Sequence, residues 1–168
     1  MQNWLPDRID PRVWLQRGGR LSGAVPVAGM ARLGSLLAPG GEVRAELALS
    51  QEAERAPLRL DGHLQGHVTM VCQRCLGEVE VPVDVTLALD LVTTEAVARR
   101  VPEGREPWLM SGDLLALAEL LEDELILAVP TVPRHPAGSC QAPAMAGAAE
   151  ATVERPHPFS VLARLKDG

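Results

Sequence analysis

The chain has 168 residues and a formal net charge of −6 at pH 7. This length suffices for one domain with a real core, which aliphatic side chains must fill because aromatic residues make up only 2%. The acidic charge argues against a general nucleic-acid binder, since such proteins carry a broadly basic surface. Three cysteines are a poor disulfide framework. Because no signal peptide or apolar span is recognisable, we expect a cytoplasmic protein with reduced thiols and no membrane partner.

Residues 1–20 are predicted to form an N-terminal arm rich in arginine and tryptophan. Two interpretations of this arm remain open. Trp4 and Trp14 can pack on the core, or the arm can offer a surface to RNA or an acidic partner, because guanidinium groups match phosphate geometry. The candidate partner-binding residues here are Arg8, Arg12, Arg17 and Arg20.

Residues 21–140 are predicted to form a single α+β core domain. A strand can begin within residues 21–30, and the apolar spacing over residues 30–37 suits a short helix that Pro39 and the two glycines after it end. Alternating apolar residues over 43–49 then predict a strand with one buried face.

Two further strands complete a predicted antiparallel β meander or partly closed sheet. The first covers residues 58–71 and is expected to be broken by Gly62 and Gly66. The second covers residues 78–92, where valine or leucine occupies every other position from Val79 to Leu91. This period of two is typical of a strand that buries one face.

A Cys-x-x-Cys hairpin turn joins these two strands, with the sequence Cys72-Gln73-Arg74-Cys75-Leu76-Gly77. Two thiols on such a turn can point at one ion, as in a zinc-knuckle half-site, and Gly77 can take the positive φ of the turn. A redox Cys-x-x-Cys more often caps a helix, whose dipole lowers a thiol pKa. Because a strand follows here, we expect a structural role for Cys72 and Cys75.

The predicted sheet is followed by a loop over residues 93–107 and then by an acidic amphipathic helix. The helix is expected to begin at Asp113, whose carboxylate can cap it, and to end near Leu127. Its acidic side chains are interpreted as a solvated face that can receive a basic partner or the protein's own basic ends; the candidate residues are Glu119, Glu122, Asp123 and Glu124.

The cysteines and histidines offer one candidate structural zinc site. Structural zinc usually takes four nitrogen or sulfur ligands, so the hairpin pair needs a second pair. His135 and Cys140 lie in the loop after the helix and complete the predicted set Cys72, Cys75, His135 and Cys140. His63 and His67 are competing ligands, and a knuckle without metal is the remaining alternative.

The end of the chain changes character twice. Residues 141–154 are rich in alanine, proline and glycine and are expected to be a flexible linker. Residues 155–168 are predicted to form a short basic helix that docks on the core, with Phe159, Leu162 and Leu165 three apart. Its candidate partner-binding residues are Arg164 and Lys166.

Three motifs occur in an order that resembles the bacterial YceD family. They are the Cys-Gln-Arg-Cys-Leu turn, the run from Asp113 to His135 followed by Cys140, and Pro-Phe-Ser-Val-Leu at 158–162 followed by Leu-Lys at 165–166. The resemblance covers about Val43 to Lys166 and departs at His157, where the family often has asparagine.

The resemblance implies a non-enzymatic cytosolic factor for accumulation of 23S rRNA and assembly of the large ribosomal subunit. The partners would be a ribosomal protein, a 23S rRNA precursor or both, reached directly or indirectly, with no small-molecule substrate. An acidic chain favours the protein partner. Two alternatives from the residues stay open: a thiol oxidoreductase using Cys72 and Cys75, and a zinc-stabilised adaptor in another complex.

Overall fold

The computed structural model describes residues 3–54 and 56–142. Within them the chain forms a five-stranded mixed sheet with three α-helices, which confirms the α+β class. The strands are β1 (Arg20–Val25), β2 (Leu37–Ser50), β3 (Leu58–Val71), β4 (Glu78–Val92) and β5 (Glu106–Leu109). The helices are α1 (Pro11–Gln16), α2 (Glu95–Ala98) and α3 (Leu117–Ala128). The predicted C-terminal helix, and the predicted linker from residue 143 onward, lie outside the described residues.

The sheet is open, so the expectation of a partly closed sheet is wrong. Strands β1 to β4 pair antiparallel in chain order, and β5 adds to β4 in parallel. Strands β1 and β5 are therefore the two edges. No helix in the described part of the chain is long and apolar enough to span a membrane.

Strand β3 is continuous, and its two central glycines do not break it. A Cβ at Gly62 would lie 2.6 Å from a methyl carbon of Leu47, and one at Gly66 would lie 2.0 Å from the carbonyl oxygen of Glu42. Both glycines face β2, whose chain approaches too closely for a side chain. They are therefore sites of close strand packing.

The segment before β2 also differs from its prediction. Residues 27–29 and 34–36 form two short 3-10 turns instead of one helix. Pro39 and the two glycines after it lie inside β2, at an irregularity in its pairing with β3.

The predicted loop over residues 93–107 contains α2 and the start of β5. Arg105 fixes this segment on the sheet by donating to the carboxylates of Asp90 (2.5 Å) and Asp61 (2.7 Å). It also donates to the carbonyl oxygen of Leu89 (2.6 Å). These contacts place β5 beside β4 although the local sequence is typical of a loop.

Helix α3 begins at Leu117 and not at Asp113. Leu115 exchanges two backbone hydrogen bonds with Ile9 (2.9 and 3.0 Å), which keep the preceding segment extended. The first turn is completed by the amide of Ala118, which donates to the carbonyl oxygen of Asp7 (3.0 Å). A backbone acceptor from the N-terminus therefore takes part of the role expected of Asp113.

The hydrophobic core lies between one face of the sheet and the segments that cross it. Trp14 of α1 is 3% exposed and belongs to this core, whereas Trp4 is 53% exposed. The packing interpretation of the N-terminal residues therefore holds for Trp14. Helix α3 buries its own stripe against the sheet through Leu117, Leu120, Leu121 and Leu125.

Candidate metal centre

One cluster of metal-ligating side chains lies where the β3–β4 turn meets the loop after α3. Its members are Cys72, Cys75, His135 and Cys140, and one ligand atom from each lies within 4.8 Å of all the others. The Sγ atoms of Cys72 and Cys140 are 4.0 Å apart, and Sγ of Cys75 is 3.5 Å from Nδ1 of His135. The two pairs join residues that are 68 and 60 positions apart in the sequence.

The turn holds both of its thiols on one side. Two backbone hydrogen bonds close the turn. The amide of Cys72 donates to the carbonyl oxygen of Gly77 (2.8 Å), and the amide of Leu76 donates to the carbonyl oxygen of Cys72 (2.9 Å). Leu76, not Gly77 as predicted, takes the left-handed conformation, with φ of 61°. Backbone amides then face sulfur: the amide of Arg74 donates to Sγ of Cys72 (3.4 Å).

Two contacts hold the second half of the cluster against the turn. The amide of Gln73 donates to the carbonyl oxygen of Pro133 (2.8 Å). The guanidinium of Arg74 reaches across to Sγ of Cys140 (3.8 Å) and to the carbonyl oxygen of His135 (3.5 Å). The sequence showed Arg74 only as a neighbouring charge, because its contacts are with a loop about 60 residues later.

The surroundings favour one thiolate in the metal-free cluster. Burial by itself raises the pKa of Cys72, but hydrogen bonds from the backbone of Cys75, His135 and Arg74, and from the His135 ring, bring that pKa down to about 5. The pKa of Cys140 is raised, first by burial and then by the neighbouring sulfurs of Cys75 and Cys72. Three sulfur atoms and an imidazole nitrogen this close together are a set of donors that can hold a metal ion.

Two separations within the cluster are close to those of a tetrahedral zinc site. Zinc–sulfur bonds of about 2.3 Å at tetrahedral angles place neighbouring sulfurs about 3.8 Å apart. The observed 4.0 Å between Cys72 and Cys140, and 3.5 Å between Cys75 and His135, need little adjustment. This structure therefore brings together the four residues that the sequence predicted as one ligand set.

The competing histidines point elsewhere. Nε2 of His63 is 2.6 Å from the carboxylate of Asp84, and Nε2 of His67 is 3.9 Å from that of Glu80. These pairs lie on the exposed face of strands β3 and β4, away from the core. Neither histidine belongs to the cluster.

Glu122 does not lie on an exposed acidic face. It is 7% exposed and accepts hydrogen bonds from the amides of Arg32 (2.7 Å) and Leu33 (3.0 Å). Its other oxygen accepts from the Arg32 guanidinium (2.9 Å). The Leu33 amide is the main cause of its lowered pKa, which burial opposes and Arg32 supports. Glu122 thus anchors α3 to the segment before β2.

The other predicted partner-binding residues differ in accessibility. Glu119 is exposed, Asp123 and Glu124 are half-buried, and Asp123 forms an ion pair with Arg32 (2.5 Å). The N-terminal arginines are all exposed and form no ion pair within the described residues: Arg8, Arg12, Arg17 and Arg20. The predicted basic residues Arg164 and Lys166 lie outside the described residues.

Comparison with known proteins identifies the family. A family model described as "Large ribosomal RNA subunit accumulation protein YceD" matches residues 60–166. The chain belongs to the YceD family. This confirms the resemblance found in the three motifs, and the matched region contains all four residues of the cluster.

A protein of Haemophilus influenzae is similar over much of the chain. It is named "Large ribosomal RNA subunit accumulation protein YceD" and is 33% identical over 113 residues. The match covers 64% of this YceD-family chain and 64% of the relative. No solved structure matches the chain.

Proposed function

We propose that this protein is a non-enzymatic, cytoplasmic factor that promotes accumulation of 23S rRNA and assembly of the large ribosomal subunit. The family match over residues 60–166 is the observation that carries this proposal. It spans the hairpin turn, α3 and the loop with His135 and Cys140. The name of the Haemophilus influenzae relative supports the same role.

Sedimentation tests this function directly. We expect the tagged full-length protein, in lysate from the organism that encodes it, to migrate with precursors of the large subunit on a sucrose gradient. A protein found only at the top of the gradient, under conditions that preserve precursor particles, contradicts the proposal. Migration with the small subunit alone contradicts it equally.

We further propose that the cluster holds one structural zinc ion. Three sulfur donors and one imidazole nitrogen match a closed structural zinc site, and the ion would supply a rigid link between the β3–β4 turn and the loop after α3. Such a link is effective because it joins positions far apart in sequence, Cys72 and Cys140. The four side chains would thus add to the hydrogen bonds that Gln73 and Arg74 already make between the two segments.

Metal analysis of the purified full-length protein tests the zinc proposal. We expect about one zinc ion per chain, and a strong loss of zinc in His135→Ala. His67→Ala is a matched control, because His67 is also a histidine beside the hairpin but lies outside the cluster. Metal-free wild-type protein, or equal zinc in both variants, contradicts the site.

A thiol oxidoreductase is the second candidate, and the lowered pKa of Cys72 favours it. Alkylation at neutral pH separates the two candidates. Zinc ligation predicts slow alkylation that a chelator accelerates. Rapid alkylation of metal-free protein, unchanged by the chelator, supports the oxidoreductase instead.

The exposed N-terminal arginines form the proposed contact with ribosomal RNA. Their guanidinium groups are not used within the described residues, whereas Glu122 and Asp123 are already paired with Arg32. We expect replacement of the four arginines by glutamine to weaken co-sedimentation and reduce its salt dependence. Replacing the paired Arg44 and Arg99 by glutamine is the control. An equal effect of the control variant contradicts the contact.

A further inference from the structure

An apolar groove lies between α3 and β5 at the edge of the sheet. Its volume is about 300 Å³, and Trp108, Ile126 and Leu127 line it. Leu127 is 79% exposed, the most exposed large apolar side chain among the described residues. Such a side chain at the mouth of a groove indicates a surface that another segment covers.

The rim of this groove has more negative charge than its own cation neutralises. Glu106, Asp123 and Glu124 line it together with Arg32. Arg32 is already bound to Asp123 and to the buried Glu122. Burial, followed by repulsion from Glu106 and Asp123, raises the pKa of Glu124. In the described chain neither Glu106 nor Glu124 has a cationic partner. A segment that fits the groove therefore needs apolar side chains for its floor and basic side chains for its rim.

We propose that residues 155–166 of the same chain occupy the groove. This segment combines the two required properties: Phe159, Leu162 and Leu165 are spaced at three residues, and Arg164 and Lys166 flank the last of them. Placed on one face of a helix, the three apolar side chains cover Trp108 and Leu127, and the two cations face the carboxylates of the rim. The proposal concerns the molecule itself and does not depend on the ribosomal role.

The chain between the two parts is long enough. Pro133 is fixed beside the hairpin turn and lies only six positions after Leu127, a span of at most about 20 Å. The described chain ends at Ala142, two residues after the cluster residue Cys140. Residues 143–154 span up to about 40 Å when extended and about 20 Å as a random coil, so residues 155–166 can reach the groove.

Attachment to the same chain favours this occupant over a free basic protein. A segment held by a short flexible connection has an effective concentration in the millimolar range. A separate partner must reach a comparable concentration or bind more tightly to displace it. Docking in the same molecule also requires no second copy, so it is independent of protein concentration.

Amide hydrogen exchange of the full-length protein tests the proposal. We expect amides of residues 159–165 to exchange at least about tenfold more slowly than in an unstructured peptide. Leu127→Asp should remove most of this protection. Leu114→Asp is the matched control, because Leu114 is also an exposed leucine (48%) but does not line the groove. Random-coil exchange rates in the wild-type protein overturn the proposal.

Charge reversal identifies the contact. The double variant Glu106→Lys, Glu124→Lys should show about tenfold less protection of these amides. Adding Arg164→Glu and Lys166→Glu to that variant should restore most of the protection. If all variants retain equal protection, the segment docks elsewhere and the proposal is wrong. Protection that disappears on dilution shows docking between two copies and overturns it as well.

Discussion

Replacement of Glu122 by alanine is expected to destabilise the protein more than replacement of Arg32, although the two side chains form one ion pair. The Glu122 carboxylate accepts two backbone amides, and one of them belongs to the fully buried Leu33. Each hydrogen bond to a charged acceptor contributes about 1.5–3 kcal/mol, and a buried amide left without a partner is costly. We therefore expect Glu122→Ala to lower the free energy of unfolding by about 3–5 kcal/mol.

Arg32→Ala is expected to have less than half of that effect. The Arg32 side chain is 52% exposed, so solvent screens its ion pair, and its loss leaves both amide contacts of Glu122 intact. Glu119→Ala is the control, because Glu119 is exposed on the same helix and should change the free energy by no more than about 0.5 kcal/mol.

Urea unfolding of the full-length protein gives these free energies. The folded-state pKa of Glu122 is below its ordinary value, so its contribution is present above about pH 4.5 and is lost as the pH falls through the folded-state pKa. The difference between the wild type and Glu122→Ala should therefore narrow in acid. An effect of Arg32→Ala as large as that of Glu122→Ala, or none at Glu122, refutes this reasoning.

Three further substitutions follow from the fold. Gly66→Ala places a Cβ 2.0 Å from a carbonyl oxygen of β2 and should lower the urea midpoint far more than Gly29→Ala, which has open space around it and no left-handed backbone. Equal shifts would refute the close approach. Arg105→Ala leaves the buried carboxylate of Asp90 without the guanidinium that lies 2.5 Å away. We therefore expect the free energy of unfolding to fall by about 3 kcal/mol and the amides of β5 to exchange faster. Unchanged exchange would show that other contacts hold β5 on the sheet. Leu76 is an exposed residue with a left-handed backbone, and Leu76→Gly relieves the strain of that conformation. Thermal unfolding should therefore show a gain in stability of about 0.5–1 kcal/mol. A loss of stability would show that the leucine side chain packs against the rest of the protein.

The strands were the most predictable part of the fold. Alternation from Val79 to Leu91 reflects direct contact of every second side chain with the core, so the bounds of β4 agree with those predicted. The prediction that Gly62 and Gly66 break β3 was wrong. A glycine in a strand pattern can mark either a break or a close approach of the neighbouring strand, and the sequence does not distinguish the two.

The composition of the cluster was also accessible from the sequence. A structural metal site needs four ligands, so a hairpin with two cysteines requires a second pair. The structure brings His135 and Cys140 to the hairpin thiols, whereas His63 and His67 turn to the open face of the sheet. The side-chain direction along β3 decides between them, and this depends on the register of the strand.

Non-local contacts explain what the sequence could not reveal. The acidic composition of α3 is typical of a solvated face, but Glu122 is buried against Arg32, 90 residues earlier in the chain. Residues 93–107 contain two prolines and a glycine and resemble a loop, yet Arg105 fixes β5 to the sheet through Asp90. No local sequence pattern predicts the Glu122–Arg32 or the Arg105–Asp90 contact, because each forms only when distant segments pack together.

The level of 23S rRNA relative to 16S rRNA, measured in cells with and without this protein, tests the central claim most directly. Our account predicts that deletion lowers the ratio and that the full-length wild-type chain restores it. His135→Ala should restore it less well than the control His67→Ala. A ratio that deletion leaves unchanged, at a growth temperature and rate where the protein is normally present, would contradict the account.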